Sequence, residues 1–359
     1  MITRPAVLLV AAVLSLSGCG GGRNAAPAGP TNHDAAAARS RHALDDAIDV
    51  GAPGCSAAVG VEGKVVWTGV RGVADISTGD AITPQTVFDI ASVSKQFTAT
   101  ALLLLVDAGE VALDDPLSRY VPELPWSGAV TVGQLMHQTS GVPEYVGLLE
   151  AQGFQLGDRT TEDQALRALA GVPKLEFAPG SRFDYSNSNY LLLGEIVHRI
   201  SRKPLAQYLT EKIFDPLGLA MVVDPIGQVP GKAVAYEKGS DGYRATRSGW
   251  EQVGDGGIQT TPSQLVRWAD NYRTGRLGGP KLRAAQLAGA VPTEPGGGDR
   301  YGAGIYALAN GTLDHDGAWG GFVTAFRVSK DRATSLAVSC NTDKQDPEAL
   351  ADALGKAWM

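Results

Sequence analysis

Residues 88–97 have the sequence FDIASVSKQF, and an almost purely apolar run follows as far as Val106. Only two threonines interrupt the alanine, leucine and valine of this run, so a helix here is apolar nearly all round and is predicted to be buried. Gly109 supplies a stop signal. Ser92 opens the helix and Lys95 follows three residues later, which places a hydroxyl and an amine on one helix face. A nucleophile and its base require that geometry.

Composition limits the classes of function. The chain has 359 residues, of which 44% are apolar and 19% charged, with a net charge of -7. A chain of this length can bury a large core and form two lobes. A mildly acidic net charge is typical of globular proteins. The sequence has no excess of basic residues that would predict nucleic-acid binding.

The first 18 residues are predicted to be a lipoprotein signal peptide. Arg4 provides a positive start, a short apolar segment follows, and Leu16-Ser17-Gly18-Cys19 ends it. This ending resembles a bacterial lipobox, which implies cleavage before Cys19, a diacylglyceryl group on its sulfur and an exported protein held at a membrane of the cell envelope. The alternative is a plain secretory signal with an incidental cysteine. Residues 19–38 are predicted to form a flexible tether.

Two other cysteines, Cys55 and Cys340, lie near opposite ends of the chain. An exported protein meets an oxidising environment, in which such a pair can form a disulfide. Two unpaired buried thiols are the other interpretation, and the sequence leaves both open.

The order of predicted elements indicates an α/β (α+β) fold. A helix at 33–50 precedes a hairpin of strands 55–61 and 64–70, which are joined at Glu62-Gly63. Strands return at 311–316, 321–328 and 335–340 before a last helix at 347–358. Between them the prediction is mainly helical, with helices at 132–136, 162–169, 190–200, 205–214 and 263–272.

We therefore expect an antiparallel sheet built from both ends of the chain, with flanking helices and an inserted, mostly helical lobe. Within one domain at 39–359, the sheet lobe is predicted at 39–113 and 304–359 and the helical lobe at 114–303. If the last strand runs antiparallel beside the first, Cys340 comes close to Cys55.

Two further short patterns accompany Ser92 and Lys95. Tyr185 and Asn187 are predicted on a turn before a helix, where they can project into a cleft. His315 and Gly317 share one face of a predicted strand, and Gly317 leaves space for a substrate to lie against the backbone. Taken singly, each pattern is more common as a structural feature than as part of a site.

In this order, Ser-x-x-Lys, Tyr-x-Asn and His-x-Gly resemble the serine β-lactamase and penicillin-binding protein superfamily. The matching branch contains secreted D-alanyl-D-alanine carboxypeptidases and β-lactamase-like esterases. The likeness spans roughly 39–358 and includes further segments at 88–95, 114–120, 137–143, 179–183, 256–258 and 262–265.

The resemblance implies a role for each motif residue. Ser92 would attack an acyl carbon and form a covalent acyl-enzyme. Lys95 and Tyr185 would titrate as a coupled pair, and either could be the base. Asn187 would steady Lys95 and bind a substrate amide. The backbone N–H groups of Ser92 and Ala318 would form the oxyanion pocket.

The third motif departs from the pattern of the β-lactamases, which carry a lysine and a hydroxyl residue where this chain has His315 and Asp316. If Asp316 faced the pocket it would repel a substrate carboxylate, although strict alternation points it away from the face of His315. His315 itself is expected to be mostly neutral at pH 7. His137 is expected to order its loop, and Trp319 to line or cover the cleft.

The sequence thus predicts a serine hydrolase acting on a small acyl or peptide substrate without a metal or organic cofactor. Peptidase or amidase action on D-amino-acid peptides and esterase action on small acyl esters are the leading alternatives, followed by β-lactamase action. A non-catalytic lipoprotein that binds cell-wall fragments is the rival from another class. The oligomeric state is left open.

Overall fold

The structure of the protein, a computed structural model, describes residues 32–359. The predicted signal peptide, Cys19 and the tether as far as residue 31 lie outside the described residues. The prediction of a tether up to residue 38 is wrong in its last part, because a helix begins at Asn32. Four consecutive alanines in this segment favour helix over coil.

Helices and short strands alternate along the described chain. The α-helices of residues 32–359 are α1 (Asn32–Ala47), α2 (Lys95–Asp107), α3 (Val132–Met136), α4 (Tyr145–Ala151), α5 (Glu162–Ala170), α6 (Asn187–Ser201), α7 (Leu205–Leu209), α8 (Asp215–Leu217), α9 (Pro262–Thr274), α10 (Gly279–Ala285) and α11 (Pro347–Trp358). The strands are β1 (Cys55–Val61), β2 (Lys64–Arg71), β3 (Val73–Asp75), β4 (Asp80–Ala81), β5 (Phe88–Asp89), β6 (Val222–Val223), β7 (Ala235–Gly239), β8 (Gly242–Thr246), β9 (Ile258–Thr260), β10 (Val291–Pro292), β11 (Arg300–Tyr301), β12 (Tyr306–Ala307), β13 (Leu313–Trp319), β14 (Phe322–Val328) and β15 (Thr334–Cys340).

The main sheet is antiparallel and has the strand order β10-β11-β12-β13-β14-β15-β1-β2. Strands from both ends of the chain are therefore neighbours in one sheet, as predicted, with β15 paired to β1. Cys55 lies opposite Cys340 in the β1–β15 register, and a disulfide joins the two residues. The sheet also takes in β10 and β11, so it begins upstream of the predicted boundary at residue 304.

The hairpin of β1 and β2 forms at the predicted turn. Glu62 and Gly63 have φ values of 50° and 76°. Two consecutive residues of positive φ suit a two-residue turn whose twist matches that of the strands. Three helices, α4, α8 and α10, were not predicted from the sequence. They have seven, three and seven residues, too few for a clear periodic pattern.

The helix α2 lies in the main hydrophobic core. Phe97 on this helix packs against Trp268 of α9, with ring centroids 4.6 Å apart, and against Phe214. A second cluster covers the opposite face of the sheet, where Leu44 of α1 and Leu350 of α11 are buried. The apolar helix α2 is thus enclosed between the sheet side and the helical region, which fixes its first turn in space. No helix within residues 32–359 has the length and apolar character needed to cross a membrane.

Candidate active site

Ser92 lies in a 3₁₀ turn, Ala91–Ser94, that leads directly into α2. Asp89 holds this turn, since its Oδ1 accepts a hydrogen bond of 2.8 Å from the N–H of Ala91 and its Oδ2 one of 2.7 Å from Gln259 Nε2. Ala91 has a φ of 47°, a conformation that is costly for a residue with a side chain. The backbone is therefore held in a strained form immediately before Ser92.

Lys95 is fully buried, and its ammonium nitrogen contacts three oxygen atoms. Nζ lies 2.9 Å from Ser92 Oγ, 2.7 Å from Asn187 Oδ1 and 2.8 Å from the carbonyl oxygen of Asp255. Burial lowers the pKa of Lys95 to about 8, against the opposing charges of Asp255 and Glu144. A neutral amine can donate to the two acceptors, Asn187 Oδ1 and the Asp255 carbonyl, and accept the proton of the Ser92 hydroxyl.

Tyr185 completes the group around Ser92. Its ring centroid lies 4.9 Å from Lys95 Nζ. Burial raises the pKa of Tyr185 well above its usual value, although a hydrogen bond with the Ser92 hydroxyl lowers it in part and the charge of Asp316 raises it further. The raised pKa favours the protonated phenol. Of the two bases that the sequence left open, the electrostatics favour Lys95.

The start of α6 brings Asn187 to Lys95. The N–H of Asn187 donates a hydrogen bond of 2.6 Å to Glu144 Oε2, and Glu144 Oε1 accepts a second one from the N–H of Val146 at 3.2 Å. Glu144 thus ties the first turn of α4 to the first turn of α6. Sequence reasoning missed this residue; a carboxylate directly before a helix is the signal that could have indicated a capping role.

Gly317 of β13 lies against the turn that carries Ser92. A Cβ atom at this position would be 2.5 Å from the carbonyl oxygen of Ile90 and 2.9 Å from the backbone nitrogen of Ser92. The space predicted for a substrate is therefore filled by the nucleophile turn itself, and that reading of Gly317 is wrong. Ala318, the next residue, does line the cleft. Because β12 pairs only with Leu313 and Asp314, the following part of that edge of β13 has no strand beside it.

His315 points to the interior and does not line the cleft. Its side chain is 1% exposed, and Nε2 lies 3.2 Å from the hydroxyl of Tyr301. Burial lowers the pKa of His315 to about 4, so the imidazole is neutral, as expected. The predicted substrate contact is replaced by packing, since the ring lies 6.3 Å from that of Tyr185. Asp316 is exposed on the opposite face, in accord with strand alternation.

Aromatic side chains surround the open part of the cleft beside Ser92. The rings of Trp250 and Trp319 lie 5.6 Å apart, and those of Tyr145 and Trp250 lie 6.3 Å apart. Trp319 therefore lines the cleft, as predicted. The hydroxyl of Tyr145 donates a hydrogen bond of 3.0 Å to Oδ2 of Asp255, which also lines this cleft.

Asp255 is the most informative residue that sequence reasoning missed. Its carbonyl oxygen accepts a hydrogen bond from Lys95, while its carboxylate, whose Oδ2 accepts one from Tyr145, belongs to a residue that lines the cleft. The signal was a charged residue between glycines in a segment otherwise typical of a tight loop. Among residues 32–359, no group of three or more acidic, histidine or cysteine side chains is arranged to hold a metal ion.

His137 is not among the residues that line the cleft beside Ser92. Its side chain is buried at 9% exposure, and burial lowers its pKa. A Cβ atom on Gly289 would be 2.9 Å from His137 Cε1, so the ring is packed tightly against the segment after α10. This position is consistent with the structural role that the sequence predicted.

Comparison with known proteins places this geometry in a family. Over 218 residues, the chain is 32% identical to the D-aminopeptidase of Brucella anthropi, a match that covers 60% of this chain and 42% of that protein. The chain thus spans less than half the length of the curated relatives it matches.

Solved structures share the fold. The octameric penicillin-binding protein homologue from Pyrococcus abyssi superposes with a TM-score of 0.74 at 27% identity, over 84% of this chain and 72% of the other. The D-amino acid amidase from Ochrobactrum anthropi SV3 superposes with a TM-score of 0.76 at 24% identity, over 90% and 98%. The family model described as Beta-lactamase matches residues 36–357. The chain therefore belongs to the beta-lactamase family.

Proposed function

We propose that the protein is a serine hydrolase that cleaves amide bonds through an acyl-enzyme. The observation that carries this proposal is the 2.9 Å contact between the buried Nζ of Lys95 and Oγ of Ser92. Ser92 attacks the carbonyl carbon while its proton passes to Lys95. The oxyanion lies between the N–H groups of Ser92 and Ala318, where the loss of one donor typically raises the barrier by about 3 kcal/mol.

The release of the amine and the hydrolysis of the acyl-enzyme use the same groups. The tetrahedral intermediate collapses, the C–N bond breaks, and the amine leaves with a proton delivered through the Lys95 and Tyr185 pair. Lys95 then removes a proton from water as it attacks the acyl-enzyme, the bond between the acyl carbon and Ser92 Oγ breaks, and Lys95 returns the proton to Oγ as the acid product leaves.

The cleft favours an acyl group that carries a free ammonium. Asp255 lines the cleft together with Tyr145 and Trp250, and its Oδ2 accepts a hydrogen bond from the Tyr145 hydroxyl. An ammonium between a carboxylate and aromatic faces gains both ion pairing and cation–π attraction. The D-aminopeptidase and D-amino acid amidase names of the relatives agree with a substrate of this kind.

We therefore place aminopeptidase or amidase action on D-amino-acid amides and peptides first. Cleavage of small neutral esters ranks second, because an ester needs the same nucleophile but no ammonium. Efficient β-lactamase action ranks third, since His315 is buried where a carboxylate-binding lysine would be needed.

The first test asks whether Ser92 is a nucleophile. We expect a fluorophosphonate to add one phosphonyl group to the protein and to leave Ser92→Ala unmodified, as measured by intact mass. A wild-type protein that stays unmodified by fluorophosphonate, penicillin and activated ester alike would favour the non-catalytic binding lipoprotein.

The second test asks whether the enzyme prefers an acyl group that carries a free ammonium. We expect D-alanine p-nitroanilide to be cleaved at least about tenfold more efficiently than its N-acetyl form, in line with about 1.4 kcal/mol from one charge-assisted contact. Asp255→Asn should remove most of this preference. Equal rates for the two substrates in the wild-type protein would contradict the proposed role of Asp255, and cleavage of neither would leave the ester alternative.

We also propose that the protein is exported and lipid-anchored in the cell envelope through Cys19. The support is the sequence Leu16-Ser17-Gly18-Cys19, together with the Cys55–Cys340 disulfide, which suits an oxidising compartment. Metabolic labelling with an alkyne fatty acid should mark the wild-type protein but not Cys19→Ala. Equal labelling of both, or of neither, would contradict the anchor.

A further inference from the structure

A second cleft begins where the first one ends. Trp319, Asp89 and Pro225 line both spaces, so the two clefts are continuous around the indole of Trp319. The second space, which we call the distal cleft, has a volume of about 390 Å³ and is bounded further out by Lys232 and Arg247, among other residues. These two residues do not line the space beside Ser92.

The distal cleft carries two cations that lack a carboxylate partner. No salt bridge among the described residues includes Lys232 or Arg247. Lys232 Nζ lies over the ring of Phe322 at 5.1 Å from its centroid. Arg247 is exposed and donates one hydrogen bond, of 2.5 Å, to the carbonyl oxygen of Ile226.

The acidic groups that face Lys232 are engaged elsewhere. Both carboxylate oxygens of Asp89 accept hydrogen bonds that hold the Ser92 turn. Oδ1 of Asp224 accepts one of 2.7 Å from the N–H of Gly227. Burial lowers the pKa of Lys232, while the charges of these two aspartates raise it. The nearby acids therefore act on Lys232 through space without closing a contact with it.

We propose that the distal cleft binds a carboxylate carried by the substrate beyond Trp319. This inference rests on the proposed function, because it assigns a second point of recognition to the substrate that reacts at Ser92. Arg247 offers the planar fork that suits a carboxylate, and Lys232 adds a second charge on the inner wall. With Asp255 at one end and Lys232 and Arg247 at the other, the site selects an acyl group that carries an ammonium near the reacting carbonyl and a carboxylate further out.

Equilibrium binding to the Ser92→Ala protein tests the distal cleft without turnover. The probes are Nε-succinyl-D-lysinamide and its isostere Nε-succinamoyl-D-lysinamide, which differ only in a terminal carboxylate or amide. We expect the succinyl probe to bind at least about fivefold more tightly by calorimetry, the equivalent of about 1 kcal/mol from a partly exposed ionic contact. The difference should shrink as salt is added.

Substitutions assign the preference to the distal cleft. The ratio of the two affinities should fall towards one when Lys232→Gln and Arg247→Gln are combined with Ser92→Ala. Lys238→Gln is the matched control, because Lys238 lies over Tyr243 outside the distal cleft, and it should keep the original ratio.

Equal affinities, no binding of either probe, or a preference that survives both substitutions would overturn the proposal. A succinyl preference that depends on Lys232 and Arg247 would support it. If no acylating reagent modified Ser92, that separate result would refute the hydrolase proposal but not the binding of a carboxylate in the distal cleft.

Discussion

The substitution Asp255→Asn should move the pH profile of the reaction to lower pH. Lys95 acts as the base in its neutral form, so kcat/KM rises as the pH passes upward through the Lys95 pKa of about 8. The Asp255 charge is the largest of the effects that hold this pKa up against burial. Removing that charge lowers the pKa, and the neutral amine is then present at lower pH.

The size of the shift follows from Coulomb's law. Two unit charges about 7 Å apart at an effective dielectric constant of about 20 interact by roughly 2 kcal/mol. This equals roughly 1.5 pKa units, and solvent in the open cleft reduces it to about 1 unit. The carbonyl oxygen of Asp255, which accepts the 2.8 Å hydrogen bond from Lys95, is retained in the asparagine variant.

The assay is kcat/KM against pH with a neutral p-nitrophenyl ester, so that loss of ammonium binding does not enter the measurement. Asp241→Asn, a substitution at the exposed turn between β7 and β8, is the matched control and should leave the profile in place. An unchanged acid limb in Asp255→Asn would refute the reasoning, because either Lys95 is not the titrating base or Asp255 carries no charge.

Three further predictions concern single contacts. Tyr185→Phe should lower kcat about 10²- to 10⁴-fold without loss of folding, because it removes the hydroxyl beside the nucleophile, and calorimetry checks that the protein remains folded. Gly317→Ala should both lower activity and reduce the melting temperature, since the added Cβ would be 2.5 Å from the Ile90 carbonyl oxygen. An active variant of unchanged melting temperature would contradict this close approach of the two backbones. Replacing Cys55 and Cys340 by serine should cost roughly 2–5 kcal/mol of unfolding free energy in denaturant titrations, and an equal midpoint for the two proteins would show that the 285-residue separation imposes no entropic constraint.

The order of most helices and strands could be predicted from local sequence patterns. The turn at Glu62-Gly63, the apolar run after Ser92 and helix α9, which begins with Pro262, each carry their signal within a few residues. Short helices such as α4, and the two-residue strands β10 and β11, carry no such signal because they depend on partners from elsewhere in the chain. Their omission shifted the predicted lobe boundary but not the fold.

By itself, the sequence identified the motif residues Ser92, Lys95 and Tyr185, and it left open whether the first and last strands pair so that Cys55 meets Cys340. The structure supplies that pairing. Only the tertiary structure decided how these groups are charged, because burial and the placement of Asp255 and Glu144 set the pKa of Lys95. Only the structure shows that the side chain of His315 is buried in the interior. Alternation along a strand shows which residues share a face, but what covers that face depends on packing between distant segments.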